Sequence, residues 1–334
     1  MKFGIHNSSW LDNPDPAEAF ETVKAKALWA ENHAFVWFSV MDHMIQIPRV
    51  GAPDEPILEG WTVLAGLAAV TSRIRLATLC TAVGYRNPAH LAKIAASVDL
   101  ISRGRLTFGI GAGFFEEEYK QYGWEFPPRP ATRIRQMEEA VQLILKMWTE
   151  PRTTFHGRYF HIEDAILEPK PVQKPRPPML IAGEGEQMTL RAVARLADAC
   201  NLVGGDTGKI EIADVKHKFD VLRRHCDAAG RDYDTIETTL IQPWLLARDD
   251  GDGGGEARAT GSPWSVARVY RHGVRGHRSD RAIPGRWSRP VDRSRSTGRC
   301  RVPRNFRLGC DPALRLTRTF VGIRQERTED DADL

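Results

Sequence analysis

Residues 74–113 read IRLATLCTAVGYRNPAHLAKIAASVDLISRGRLTFGIGAG, and the reading of this stretch decides the fold. Its two ends, Ile74–Ala82 and Arg105–Ile110, are short apolar runs of strand length. Between them Asn87-Pro88 supplies a helix cap followed by a first-turn proline, and Leu91, Ile94, Ala95, Val98 and Ile101 recur at helical spacing until Gly104 stops the helix. Strand, helix and strand in that order form one βαβ unit, whose two strands run parallel.

The same rhythm extends outward. Upstream, Phe3–Asn7 reads as a first strand, and Asp15-Pro16 opens a helix with Phe20, Val23, Ala27 and Ala30 on one face. Phe35–Val40 is a second strand, and a helix is expected around Trp61–Thr71. Downstream, Thr132–Trp148 carries Ile134, Met137, Val141, Ile144 and Trp148 on one stripe. Thr153–Pro178 breaks the rhythm with clustered prolines and reads as a surface excursion with a short hairpin. Alternation resumes with a strand at Met179–Ala182, a helix over Gln187–Leu196, a strand at Ala199–Val203, a helix over Ala213–Ala229 and a seventh strand near Glu237–Leu246. Seven strands in βα order favour an α/β fold of the TIM (β/α)8 barrel type over a six-stranded doubly wound sheet. The eighth strand and closing helices belong beyond residue 250, where the pattern collapses, so they are expected to be missing or replaced.

Composition separates the chain into two parts. Of 334 residues, 42% are hydrophobic and 27% charged, as in globular proteins, and no apolar run is long enough to span a bilayer. Met1-Lys2 leads directly into Phe3-Gly4-Ile5 without a secretory pattern, so the expected compartment is the cytoplasm. Five scattered cysteines without a CxxC pair argue against a disulfide framework or a zinc knuckle. Residues 1–250 hold 29 basic and 33 acidic residues, whereas 251–334 hold 18 Arg, no Lys and 10 acidic residues. That basic excess raises nucleic-acid binding as a reading. The tail has neither an apolar period nor an aromatic platform, and specific nucleic-acid recognition is not expected. Arginine without lysine, amid Gly, Pro and Ser, instead suggests a G/C-rich gene read out of frame from about Asp249 to Gly255, with a disordered basic tail as the alternative. The domain organisation is therefore a barrel of about seven βα units over 1–250, with its excursion at 150–178, and an aberrant tail over 251–334.

Active sites of such barrels lie at the C-terminal ends of the strands, which directs attention to a few residues. Asp42-His43 ends the second strand, pairing a carboxylate with a side chain that titrates near neutrality. His6 ends the first strand and either faces the rim or sits as a hydrogen-bonded core histidine. Gly109-Ile110-Gly111-Ala112-Gly113 lets backbone approach a ligand closely, but Phe114 stands where a dinucleotide fingerprint needs a third glycine. Gly183-Glu184-Gly185-Glu186 precedes a helix N-terminus and reads as either a phosphate site or a plain turn. Phe114, Phe115, Tyr119, Tyr122 and Trp124 either wall an apolar pocket or pack on the rim. His156, His161, Glu163 and Asp164 match no metal-ligand spacing, and a solvated hairpin is the better reading.

In this order the motifs Ser39-Val40-Met41-Asp42-His43, Leu76–Val83 with Tyr85-Arg86-Asn87-Pro88, Gly104–Gly113, Leu180–Glu186 and Asp198–Leu202 resemble the luciferase-like monooxygenase superfamily, and more closely its deazaflavin-dependent oxidoreductase branch of actinobacteria. The resemblance runs over about residues 1–247. It implies a TIM barrel that binds a deazaflavin (coenzyme F420) or, alternatively, FMN in its mouth, with hydride transfer to or from a small organic substrate. It implies that Asp42 and His43 lie at the ring, with His43 the proton-transfer candidate. It also places Thr78 and Leu79 at a non-prolyl cis peptide under the ring, and Gly183, Gly185, Glu186 and Asn201 near the phosphate. Phe115 stands where many relatives carry Asn, and His6 and Phe114 line the expected substrate pocket. Homodimerisation is the common state of relatives, and an FMN-dependent monooxygenase would need a flavin reductase as partner. A non-catalytic, damaged barrel is the competing expectation, because a missing strand leaves two edges unpaired.

Overall fold

A computed structural model of the protein describes residues 2–8, 10, 15–204, 211–241 and 320–322. Seven parallel strands form a curled sheet: β1 (Lys2–Asn7), β2 (Trp37–Asp42), β3 (Arg75–Ala82), β4 (Leu106–Gly111), β7 (Met179–Ala182), β8 (Ala199–Leu202) and β9 (Glu237–Leu240). The excursion after β4 contains the antiparallel hairpin of β5 (Thr153–His156) and β6 (His161–Ala165). Helices α1 (Ala19–Asn32), α2 (Gly60–Val70), α3 (Pro88–Ile101), α4 (Glu116–Gln121), α5 (Pro130–Thr149), α6 (Thr189–Leu196) and α7 (Ile212–Ala229) complete the described elements.

The eighth position of the barrel is occupied, but not by a βα unit. A three-residue strand, β10 (Phe320–Gly322), pairs antiparallel with both β1 and β9 and closes the ring. The expected parallel eighth strand is thus replaced by a short segment of opposite direction, and β10 covers the two edges that β1 and β9 would otherwise leave open. The rest of the expected tail, 251–319 and 323–334, lies outside the described residues, as does 242–246 of the expected seventh strand.

Local sequence explains the elements directly. Asn87 Oδ1 accepts the Ala89 and His90 amides at 2.9 and 3.3 Å, capping α3, and Gly104 ends that turn at φ +82°. Leu91, Ala95 and Val98 are buried beneath it. The second strand runs two residues beyond the expected Phe35–Val40, because Met41 and Asp42 are drawn into the sheet beside β3. Arg105, expected as the first residue of the fourth strand, turns aside instead. Its guanidinium donates to the carbonyls of Ala68, Thr71 and Ile74 and so satisfies the exposed end of α2. Helix α4 has no signal in the sequence, since EEEYKQ lacks an apolar period.

The main core lies between the sheet and the helices, where Val23, Ala27, Leu64, Leu91, Val141, Ile144 and Val193 are fully buried. A second, smaller cluster of Leu79, Leu180, Ala182 and Ala199 lies apart from it. Leu180 pairs with Ala199 and Ala182 with Asn201, so these four residues share the other face of the sheet, inside the barrel.

Candidate active site

At the end of β2 the chain turns and presents His43, whose side chain is 13% exposed. Its Nδ1 lies 2.9 Å from Glu118 Oε2, and Glu118 is brought there by α4 from the loop after β4. The Glu118 carboxylate is fully buried and fully engaged. Besides His43, it accepts the Tyr85 hydroxyl, the Met44 amide and, at 3.2 Å, the Ile45 amide. Burial alone would raise the Glu118 carboxyl, but the His43 ring, the Tyr85 hydroxyl and the Met44 amide outweigh it and hold the group below its ordinary value. Tyr85 moves the other way: burial and the adjacent Glu118 charge raise its hydroxyl well above the usual phenol range. An ionised Glu118 orients the imidazole through Nδ1 and leaves Nε2, which has no hydrogen-bond partner among the described residues, to exchange a proton.

Asp42 lies directly beside this network but is closed off from a ligand. Arg86 grips it through two bonds of 2.7 and 2.9 Å, and Thr81 Oγ1 donates to the same carboxylate. Arg86 also donates to Glu59, which caps α2 through the Trp61 and Thr62 amides. Gly60 packs so tightly here that a Cβ would fall 2.9 Å from Asp42 Oδ1. Asp42 therefore braces the rim from which His43 projects.

Around His43 the walls are aromatic. The rings of Phe114 and Phe115 meet the imidazole edge-on at 5.7 and 6.3 Å, and Phe114 is 58% exposed. Tyr85, Tyr119 and Trp124 pack together behind them. Of the two readings of this aromatic run, Tyr119 belongs to the packed rim and Phe114 to an accessible wall.

His6 is buried, with Nδ1 3.0 Å from Ser39 Oγ on the neighbouring strand. Thr78 is buried too, and its hydroxyl donates to Gly109 O at 2.7 Å, so it is committed to the β3–β4 contact. The non-prolyl cis bond joins Leu79 to Cys80, one residue beyond the expected Thr78–Leu79 position. Leu79 faces the barrel interior with Leu180, Ala182 and Ala199. Glycines in β4 and just after it serve the protein's own packing. A Cβ on Gly109 would lie 2.0 Å from Thr78 O, and Gly113 is left-handed against Tyr119.

Across the mouth, Gly183 (φ +137°) starts the loop from β7 to α6. Glu184 Oε1 accepts the Val203 amide at 2.9 Å and also the Gly204 amide. Glu186 points toward α7, where Lys218 Nζ and His217 Nε2 lie 2.6 and 3.1 Å from its Oε1. Asn201, 1% exposed on β8, donates to Thr239 at 2.7 Å, while its Oδ1 is buried without a hydrogen-bond partner among the described residues. A floor of Leu79, Leu180, Ala182 and Ala199 with one orphaned acceptor beside it fits a flat, largely apolar ring that carries a hydrogen-bond donor.

The structure thus gathers His43, Phe114 and Phe115 on one side of the rim and Gly183, Gly185 and Glu186 on the other. Glu118, Tyr85 and Arg86 escaped the sequence reading as functional residues. Glu118 is 75 residues from His43 and follows two other glutamates, so nothing local singles it out. The hairpin histidines remain at the surface, His156 paired with Glu163 at 2.5 Å. Among the described residues no group of three or more His, Cys, Asp or Glu is arranged to hold a metal, and no helix is long and apolar enough to cross a membrane.

The luciferase-like monooxygenase family pattern matches residues 1–273. An uncharacterized protein of Mycobacterium tuberculosis is 32% identical over 224 residues, covering 63% of this chain and 76% of that one. A pyrimidine monooxygenase of Acinetobacter baylyi is 32% identical over 265 residues, covering 75% and 68%. Among solved structures, an F420-dependent secondary alcohol dehydrogenase superposes with a TM-score of 0.61 at 24% identity over 72% of this chain and 68% of its own. The monooxygenase RslO1 of Streptomyces bottropensis does so with a TM-score of 0.60 at 24% identity, covering 71% and 70%. At that identity these structures share the fold. The chain belongs to the luciferase-like monooxygenase family.

Proposed function

We propose that this member of the luciferase-like monooxygenase family is an oxidoreductase that transfers a hydride between a deazaflavin (coenzyme F420) and a small organic substrate. The observation that carries the reading is the His43–Glu118 pair at an aromatic-walled barrel mouth. Leu79, Leu180, Ala182 and Ala199 would hold the ring, and Asn201 Oδ1 would accept a hydrogen bond from it. When bound, a reduced deazaflavin supplies the hydride, and the protein supplies orientation and a proton. His43 Nε2 gives that proton to the substrate atom that gains electron density, and Glu118 stabilises the imidazolium before transfer. Tyr85 and the Met44 amide hold Glu118 in place, while Asp42 and Arg86 keep the strand end rigid. Phe114 and Phe115 exclude water beside the imidazole.

The second reading, an FMN-dependent monooxygenase served by a separate flavin reductase, is supported by the 32% identity to a pyrimidine monooxygenase. Fluorescence titration separates the two. Quenching of the deazaflavin coenzyme on adding protein is the expected result, and tight FMN binding without deazaflavin binding would overturn the first reading in favour of the second. Loss of any cooperative melting transition would favour the non-catalytic, damaged barrel over both.

A further inference from the structure

One buried guanidinium closes the loop that carries half of the candidate site. Between β4 and α5, Phe114 and Phe115 wall His43, and Glu118 binds its Nδ1. Glu118 stands on α4, a helix of six residues without an apolar period. Helices so short do not persist on their own, so the place of Glu118 is imposed from outside α4. Arg133, near the start of α5 and 9% exposed, is positioned to impose it. Its Nε donates to the Gly113 carbonyl at 3.1 Å, where the loop begins. Its Nη1 donates to the Pro127 and Pro128 carbonyls at 2.6 and 3.2 Å, where the loop ends. The guanidinium also lies over the Phe126 ring, with Cζ 4.2 Å from the centroid. Phe126 packs on Tyr119 at 5.0 Å and Tyr119 on Tyr85, whose hydroxyl donates to Glu118. A row of contacts thus runs from Arg133 to the carboxylate that meets His43. Among the described residues no carboxylate pairs with Arg133, so carbonyl oxygens and an aromatic face take the place of a counter-ion.

We propose that Arg133 is a positioning residue for proton transfer: it fixes both ends of the β4–α5 loop and so holds Glu118 on His43 Nδ1. This rests on the reading that His43 exchanges a proton at the barrel mouth. Arg133 acts through the loop and touches neither His43 nor Glu118. Lysine would carry the same charge, but a single ammonium on a flexible stem cannot reproduce the planar fork that serves three carbonyls and covers Phe126 at once. Arg133→Lys therefore loosens the loop while keeping the charge. With the loop loosened, Nδ1 loses its fixed partner for part of the time, and the imidazole samples its other tautomer.

The test combines nitrogen NMR of the imidazoles with turnover, both on the full chain. In the native protein the His43 signals, assigned by their loss in His43→Gln, are expected to show one tautomer with the proton on Nδ1. Arg133→Lys should mix the tautomers and displace the pH–rate profile. It should also lower turnover limited by proton transfer by about tenfold, with KM nearly unchanged. Added to Glu118→Gln, it should cost no more than about a further twofold, because both changes remove the same contact. A merely structural Arg133 would lower the melting temperature and leave the tautomer and the pH profile native. Native imidazole signals in Arg133→Lys, or the full further loss in the double variant, would overturn the proposal. Should Arg133→Lys not fold, Phe126→Leu takes its place. It keeps the three carbonyl bonds, removes the ring under the guanidinium and should mix the tautomers to a lesser degree, with native signals again overturning the proposal. No turnover with the deazaflavin coenzyme by the native protein would overturn the proposed reaction, and the imidazole signals would then decide on Arg133 by themselves.

Discussion

The two sides of the barrel mouth handle charge in opposite ways. On the β2–β4 side, Asp42 and Glu118 are fully buried carboxylates, and each is fully engaged by hydrogen bonds from residues distant in sequence. On the β7–β8 side, Glu184 and Glu186 sit two residues apart on one glycine-bounded loop, and the Glu186 side chain is 35% exposed. Buried charge survives only when every partner is in place, whereas exposed charge is screened and adjusts cheaply. The first side therefore holds one side chain, His43, in a fixed pose, whereas the second keeps its Glu186 carboxylate at the surface.

This contrast is broken most severely by Arg86→Ala. It leaves the Asp42 carboxylate buried without its cation, and thermal melting should report a loss of about 3–5 kcal/mol. Removing a charge on the other side, as in Glu186→Gln, should leave the melting transition almost where it is. Equal effects would erase the distinction.

Next comes the proton step. Glu118→Gln keeps much of the shape but removes the charge that orients and stabilises the imidazole. Turnover limited by proton transfer should fall by about 10²-fold, with a changed pH profile and little change in KM. A pH–rate profile that superposes on that of the native enzyme would remove Glu118 from its positioning role.

A packing test follows. Gly109→Ala forces a Cβ to within 2.0 Å of Thr78 O, which is backbone and cannot swing away. Denaturant unfolding should show a loss of about 1–3 kcal/mol. Gly123 has open space where a Cβ would lie, but its φ of +70° makes Gly123→Ala a local backbone cost of about 1–2 kcal/mol without repacking.

The smallest effect is one of pH and lies away from the mouth. Burial would raise the Glu31 carboxyl, but the amides of Ile74, Arg73 and Ser72 outweigh it and lower it to about 2. A carboxyl depressed in the folded state binds protons more readily when unfolded. Its stabilisation is therefore present above its ordinary value near 4.5 and is lost as pH falls toward 2. Glu31→Gln should flatten that part of the stability–pH curve, as followed by urea midpoints at several pH values.

What could be read in the sequence divides along the same line as the charges. The helix under Leu91, Ala95 and Val98 was legible because its cap, its period and its stop are all local. The rim position of His43 was legible because it directly follows a strand. The partners of Asp42 were not. Arg86 is 44 residues away and was read only as part of a motif, while Thr81 was read as a strand residue. The direction of the closing strand was not legible either. Parallel order was expected from the seven preceding units, yet β10 arrives reversed after a long stretch without period. Glu184 was legible only as part of a turn before a helix, because its partners, the Val203 and Gly204 amides, lie after the next strand.

The most direct test is a crystal structure of the protein grown with the deazaflavin coenzyme. The ring is expected to rest on Leu79, Leu180, Ala182 and Ala199, with His43 Nε2 turned toward it and Nδ1 still on Glu118. A ring bound outside the barrel, or His43 swung into bulk water with Glu118 left to other partners, would contradict it.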